Sequence, residues 1–193
     1  SYWRNCIRNS IMSRVGKLLV AHPNFPVNSP FCKTVIYIYE DNETSGTLGF
    51  VLNRPTVSLT ALCEDNGIMF PDTQPRLHLG GPVHSSALSI LHSDDWCSSN
   101  TGFAGKHLLV SSDNVMLTKI ATGNEPIYWR AFAGRSTWMP GQLDDEIAGS
   151  HPYTKNTWIL ADSDEDVIFN YDSNDQWVRA VDLCSQQTIN HFF

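Results

Sequence analysis

Thr34–Leu52 reads TVIYIYEDNETSGTLGFVL. Thr34–Glu40 is dense in β-branched and aromatic residues, the composition of a strand. Asp41–Gly46 (DNETSG) is a turn, and Thr47–Leu52 (TLGFVL) returns as a second strand, so 34–52 predicts an antiparallel hairpin. Before it, Lys17–Ala21 is a short apolar run fit for a buried strand, which His22-Pro23 ends. Strands are also predicted at Arg76–Leu79, Ala87–His92, His107–Ser111, Ile127–Ala133 and Asn156–Leu160. Helices are predicted at Ser58–Asp65, from an Asp113 cap to about Thr122, from Pro140 to Ile147, and at Ser173–Cys184. Ser93–Gly105 and Gly134–Trp138 read as loops. Eight strands and four short helices result. They do not alternate as β-α-β units throughout, which predicts an α+β fold with a mixed or antiparallel sheet.

The chain has 193 residues, enough for one self-sufficient core. With 41% apolar and 17% charged residues, it is neither disordered nor a coiled coil. No run of 18 apolar residues exists to span a membrane. Charge is unevenly placed. Ser1–Tyr39 holds five basic residues and no acid, leaving eight basic against 20 acidic groups elsewhere, a net of −12. That acidic body argues against a nucleic-acid partner.

Within residues 1–15, Trp3, Ile7, Ile11 and Val15 recur every four positions, with Arg4 and Arg8 beside the stripe. This predicts a basic amphipathic arm that docks on an acidic protein or touches an anionic membrane surface, or else packs on its own domain. Residues 16–185 form the expected single domain, and 186–193 a tail ending in Phe192 and Phe193, a second docking element.

Signatures of chemistry are scarce. The sequence has no G-x-G-x-x-G, phosphate loop, G-x-S-x-G or H-E-x-x-H. The five cysteines form no C-x-x-C, so they predict free thiols in a reducing compartment. That means the cytoplasm of a bacterium, or a plastid or mitochondrion of a eukaryote. Asp162, Asp164 and Asp166 begin like a calcium loop, but Val167 replaces its glycine and Ser173 its glutamate, so they read as an acidic helix start. His78, His84 and His92 form the one histidine cluster, expected to be structural, with no metal called for. Leu79–Val83 (LGGPV) and Met139–Leu143 (MPGQL) are corners that bring main chain close to a ligand or another segment. Arg54 and Arg130 near them are expected to bind an anion or to pair with Asp144 or Glu146.

In order, Lys17–Pro23 (KLLVAHP), Phe31, Val35–Tyr37, Gly49–Pro55 (GFVLNRP), Gly80–Val83, Leu91-His92, Arg130–Gly134 (RAFAG), Trp138–Leu143 (WMPGQL) and Glu146-Ile147 resemble the YqgE/AlgH family over about residues 16–183. Members are described as uncharacterised or as transcriptional regulators. The resemblance implies an α+β fold whose sheet is strongly curved into a partial barrel, with helices packed outside. It implies no settled activity, no catalytic residues and no cofactor. It also implies a binding groove near Asn53, Arg54, Gly80, Gly81 and Pro82, with Arg130 close by. The arm before residue 13 and Arg135-Ser136-Thr137 depart from the family pattern.

The function expected first is non-enzymatic: an accessory or scaffold subunit of a larger assembly, or a regulator acting through protein contacts. DNA-linked transcriptional regulation is one alternative. An enzyme using the groove, with His92 as base or Cys32 as nucleophile, is another.

Overall fold

The computed structural model describes residues 13–64, 67–69, 75–154 and 157–193. Ten strands form one strongly curled, half-barrel sheet. They are β1 (Lys17–Ala21), β2 (Val35–Asn42), β3 (Gly46–Val51), β4 (Pro55–Ser58), β5 (Arg76–Leu79), β6 (Val83–Ser93), β7 (Thr101–Phe103), β8 (Leu108–Ser111), β9 (Trp129–Trp138) and β10 (Trp158–Asp162). Four short helices, α1 (Leu59–Glu64), α2 (Asn114–Ala121), α3 (Gln142–Ala148) and α4 (Glu165–Phe169), and one long helix, α5 (Ser173–Phe192), complete the fold. The sheet runs β10-β1-β2-β3-β9-β6-β8-β7, with β5 also paired to β9, in parallel, and β4 paired to β5. The expected hairpin is β2–β3, with Ile36 opposite Val51 and Asn42 opposite Gly46.

Strand β1 shows why the sheet is buried on both faces. Leu18, Leu19, Val20 and Ala21 are all fully buried. Alternation sends Leu18 and Val20 to one face and Leu19 and Ala21 to the other. The first pair joins a core with Tyr37, Phe50, Phe132 and Ala161 beneath α4 and α5. The second joins Phe25, Ile36, Trp138 and Trp158 beneath α3. A third core lies between α1, α2 and strands β5, β6 and β9. Tyr39, Phe50 and Phe132 stack in one column, with ring centroids 4.2 and 4.6 Å apart.

Four sequence expectations need correction. Gly134–Trp138 is not a loop: β9 runs ten residues and pairs with β5 and β6, then with β3. Gly134 hid this. It has φ +71, and a Cβ there would strike the Gly81 carbonyl oxygen. The strand bends at the one residue that permits it, and its ladder then resumes. Secondly, Pro55–Ser58 and Thr101–Phe103 are strands, too short and polar to read as such. That brings the count among the described residues to ten rather than eight. Thirdly, α3 begins after Pro140, at Gln142. Fourthly, helix α5 does not stop at Cys184 but continues to Phe192, since neither Gly nor Pro interrupts Ser185–Phe192. The expected tail is thus mostly the last turns of a helix. The Asp113 cap and the acidic start at Asp164 stand as expected, each side chain accepting a backbone N–H three residues on.

The Trp138–Ile147 block is explained by one carboxylate. Glu146 accepts hydrogen bonds from the indoles of Trp138 (3.1 Å) and Trp158 (2.8 Å) and from the Gln142 amide (3.0 Å). It thereby ties α3 to β9 and β10. Replacing Glu146 by Ala should leave these donors in a half-buried apolar setting without an acceptor. We expect a loss of about 2–4 kcal/mol in urea unfolding followed by tryptophan fluorescence.

Candidate functional site

Asn53 and Arg130 meet where the end of β3, the start of β9 and the start of α5 come together. Asn53 is buried. Its Oδ1 accepts the Val35 N–H at 3.0 Å, and its Nδ2 donates to the carbonyls of Lys33 (2.9 Å) and Ser173 (3.0 Å). Both of those residues sit at positive φ, +56 and +53. A side-chain amide that reads two left-handed carbonyls holds both bends in place.

Arg130 is only 8% exposed. One guanidinium nitrogen donates to the Leu52 carbonyl and Gln176 Oε1, each at 2.9 Å. The other donates to the carbonyls of Tyr171 (2.9 Å) and Phe169 (3.3 Å). Gln176, fully buried, passes its own amide protons to the Val167 and Ile168 carbonyls. Beside them the His78 Nε2–H donates to Asp172 Oδ2 at 2.9 Å, and Asp172 also accepts the Ser173 N–H. Burial would raise the Asp172 carboxyl; the His78 and Ser173 hydrogen bonds and the His78 and Arg130 charges outweigh it and hold it below the usual range. The His78 Nδ1 is buried without a partner.

Arg54 donates to the Cys32 carbonyl at 2.6 Å, and burial lowers its pKa. Gly80 donates its N–H to Ala133, and its carbonyl accepts from Val51 and Ser136. Gly81 is buried and Pro82 exposed. Thus Asn53, Arg130 and Gly80 have their polar groups engaged within the fold, while Arg54 and Pro82 reach the surface.

The expected arginine–carboxylate pairing is corrected. Arg54 and Arg130 meet carbonyls: Arg54 that of Cys32, and Arg130 those of Leu52, Phe169 and Tyr171. Asp144 instead takes Arg14 at 2.7 Å, and Glu146 takes the two indoles. Arg14 also grips Asp41 through its backbone N–H and its guanidinium. Together they line a cleft of about 460 Å³ between the β2–β3 turn and α3. Nothing in residue spacing signalled that meeting, nor the partnership of His78, Asp172 and Gln176.

The histidines do not converge, and the described residues hold no group of three metal-ligating side chains. His84 is exposed at φ +50. His92 is fully buried; its Nδ1–H donates to the Ser93 carbonyl, Nε2 accepts from the Ser111 hydroxyl, and burial lowers its pKa. Burial pushes the Cys184 thiol up to about 11 and raises that of Cys63. The Cys32 thiol is directed to the Phe25 carbonyl at 3.9 Å. Of the proposed docking elements, Trp3, Arg4, Ile7, Arg8 and Ile11 lie outside the described residues. Phe192 and Phe193 are 76% and 103% exposed. No helix among the described residues is long and apolar enough to cross a membrane.

The depressed Asp172 carboxyl fixes a pH sign. A lowered folded pKa adds stability above the unfolded value of about 3.9 and loses it as pH falls through the folded value. Asp172→Asn should therefore cost about 1–2 kcal/mol at pH 7. In thermal unfolding the gap from the wild type should close in strong acid; a gap independent of pH would contradict the assignment.

The AlgH-like family profile (DUF179) matches residues 18–188. A UPF0301 protein of Methylococcus capsulatus is 36% identical over 169 residues, covering 86% of this chain and 88% of its own. One from Aliivibrio salmonicida is 33% identical over 191 residues, covering 93% and 96%. The solution structure of the AlgH protein from Pseudomonas aeruginosa superposes with a TM-score of 0.71 at 26% identity, covering 89% of each chain. A Corynebacterium diphtheriae protein, at 23% identity and a TM-score of 0.64 over 87% of each chain, shares the fold. With the family profile spanning nearly the whole described domain, this chain belongs to the AlgH-like, UPF0301 family.

Proposed function

We propose that the protein works by non-enzymatic contact with other proteins, as an accessory or scaffold subunit or as a regulator that acts through such contacts. One contrast carries the reading. The polar residues of the expected groove spend their hydrogen-bonding capacity inside the fold: Arg130 on three carbonyls and an amide oxygen, Asn53 on two carbonyls and an N–H. The exposed end of α5, by contrast, carries Ile189, Phe192 and Phe193 into solvent. Aromatic side chains left bare on a rigid helix are the anchors that interfaces use.

The basic stripe of Trp3, Arg4, Ile7, Arg8 and Ile11 adds a second docking element of opposite character to the acidic body. The surface part of the groove, Arg54 with Pro82, offers a third. None of these needs a cofactor or metal. A DNA-linked role is disfavoured, because phosphate contacts would have to overcome the −12 body.

The test is affinity purification of the tagged chain from its native extract, with Phe192→Ala/Phe193→Ala and a deletion of residues 1–13 in parallel. Loss of a stoichiometric partner by about tenfold or more in either variant is expected. If both variants retain all that the wild type retains, the docking roles fall.

A further inference from the structure

We propose that the β10 edge and the end of α5 form one self-complementary surface that joins two copies of this chain. The inference rests on the interaction reading above and names the partner for the helix end.

Strand β10 lies at the margin of the sheet and, among the described residues, pairs only with β1. The His22 N–H to Thr157 carbonyl bond sets the phase of that ladder. With alternation, Thr157, Ile159 and Ala161 turn their main-chain groups to β1, while Trp158, Leu160 and Asp162 turn theirs outward. Asp162 is already closed: its N–H donates to Gln187 Oε1 (2.9 Å), and its carbonyl accepts from Gln187 Nε2 (3.0 Å). A side-chain carboxamide thus stands in for one residue of a missing neighbour strand. Leu160, two residues earlier and 40% exposed, faces the same way without such a substitute. Its N–H and carbonyl are an invitation to an extended strand.

The flanking surface says which strand. Leu183–Phe193 contains no Asp, Glu, Lys or Arg, and the Asp162 charge is met by Lys17. A partner chosen by charge finds nothing to read here. Two copies of an acidic chain, repelling elsewhere, can approach at this neutral patch. Antiparallel pairing of β10 with itself about Leu160 is isologous, and in it Gln187 gives up its place beside Asp162 to the main chain of Trp158 from the other copy. Each Leu160 would give and accept one main-chain bond, and the axis would stand normal to the sheet. Both α5 helices then lie on the same face. From Thr188 to Phe193 every residue is exposed, and Phe192 shares a groove with Ile159 and Leu160 beside the edge. Ile189, Phe192 and Phe193 of each copy would close over the joint. On the other face the two Leu160 side chains would meet, since Leu160 shares the face of Leu19.

The area is adequate. Two phenylalanines offer roughly 300–500 Å² together, against roughly 800 Å² per partner in a standard interface. Ile189, Leu160 and the strand supply the remainder.

Sedimentation equilibrium of the 193-residue chain between about 1 µM and about 1 mM tests this. The wild type should pass from monomer to dimer. Leu160→Lys, which sets two cations face to face across the axis, should raise the dissociation constant at least about tenfold. Phe192→Ser/Phe193→Ser, confined to exposed side chains, should do the same without touching the core. A wild type that stays monomeric throughout overturns the proposal, as does a dimer that either variant leaves unchanged. A monomer that still retains a different protein through the helix end would remove this inference and leave the interaction reading standing.

Discussion

The fold depends on a cation placed where water cannot reach. Arg130 sits near the start of β9 and faces the start of α5, and burial lowers its pKa. Leaving such a charge unpaired costs several kcal/mol, so its surroundings must supply oxygen. They do so from four separate segments. Leu52 ends β3, Phe169 ends α4, Tyr171 lies in the link to α5, and Gln176 is on α5 itself. None of these carbonyls is free to wander without stranding the charge. The arginine therefore fixes where the last two helices join the sheet, and Asn53 and the His78–Asp172 pair reinforce the same seam. Carbonyls rather than a carboxylate as partners leave the arginine's charge uncancelled, and that charge adds to the larger effects of His78 and the Ser173 N–H in holding Asp172 low against burial.

Strand β9 carries this arrangement because it is shared. Its first half serves β6 and β5; its second half serves β3. A strand with different neighbours along its length must bend, and Gly134 is where it bends. The Gly80–Gly81 corner fits against that bend, its carbonyls approaching β9 more closely than any side chain would allow. The glycines in LGGPV and RAFAG thus serve one contact between main chains. That contact lets the sheet curl and brings Phe132 onto Phe50.

Much of this was legible in the sequence, for physical reasons that differ by element. The hairpin at 34–52 and the β1 run announce themselves through composition, because burial on two faces leaves little latitude in residue type. Capping gave α2 and α4 through Asp113 and Asp164, since a cap is a local interaction. The family likeness gave the curvature, which no local pattern encodes. What stayed hidden was non-local. The strand nature of Gly134–Trp138 rests on a neighbour more than 50 residues earlier. β4 and β7 are held by their partners rather than by their own composition. For the candidate site, sequence singled out Asn53 and Arg130 but could not say that they look inward. His78, Asp172 and Gln176 join them only through folding, over separations up to 94 positions.

The same distinction decides where contact with other molecules is to be sought. The buried polar residues of the seam spend most of their donors on the fold, and a ligand would have to compete with it. The end of α5 is the opposite case. Gln187 is its last side chain tied to the sheet, and beyond it the helix carries uncharged and apolar residues that add nothing to the core. Holding those turns helical in solvent brings no packing gain, since isolated helical turns are marginal on their own. A long helix that outruns its own sheet with phenylalanines at its tip is explained once another surface meets it there. The one carboxamide that closes the Asp162 end of the β10 edge marks how narrowly the protein stands between a guarded margin and an open one.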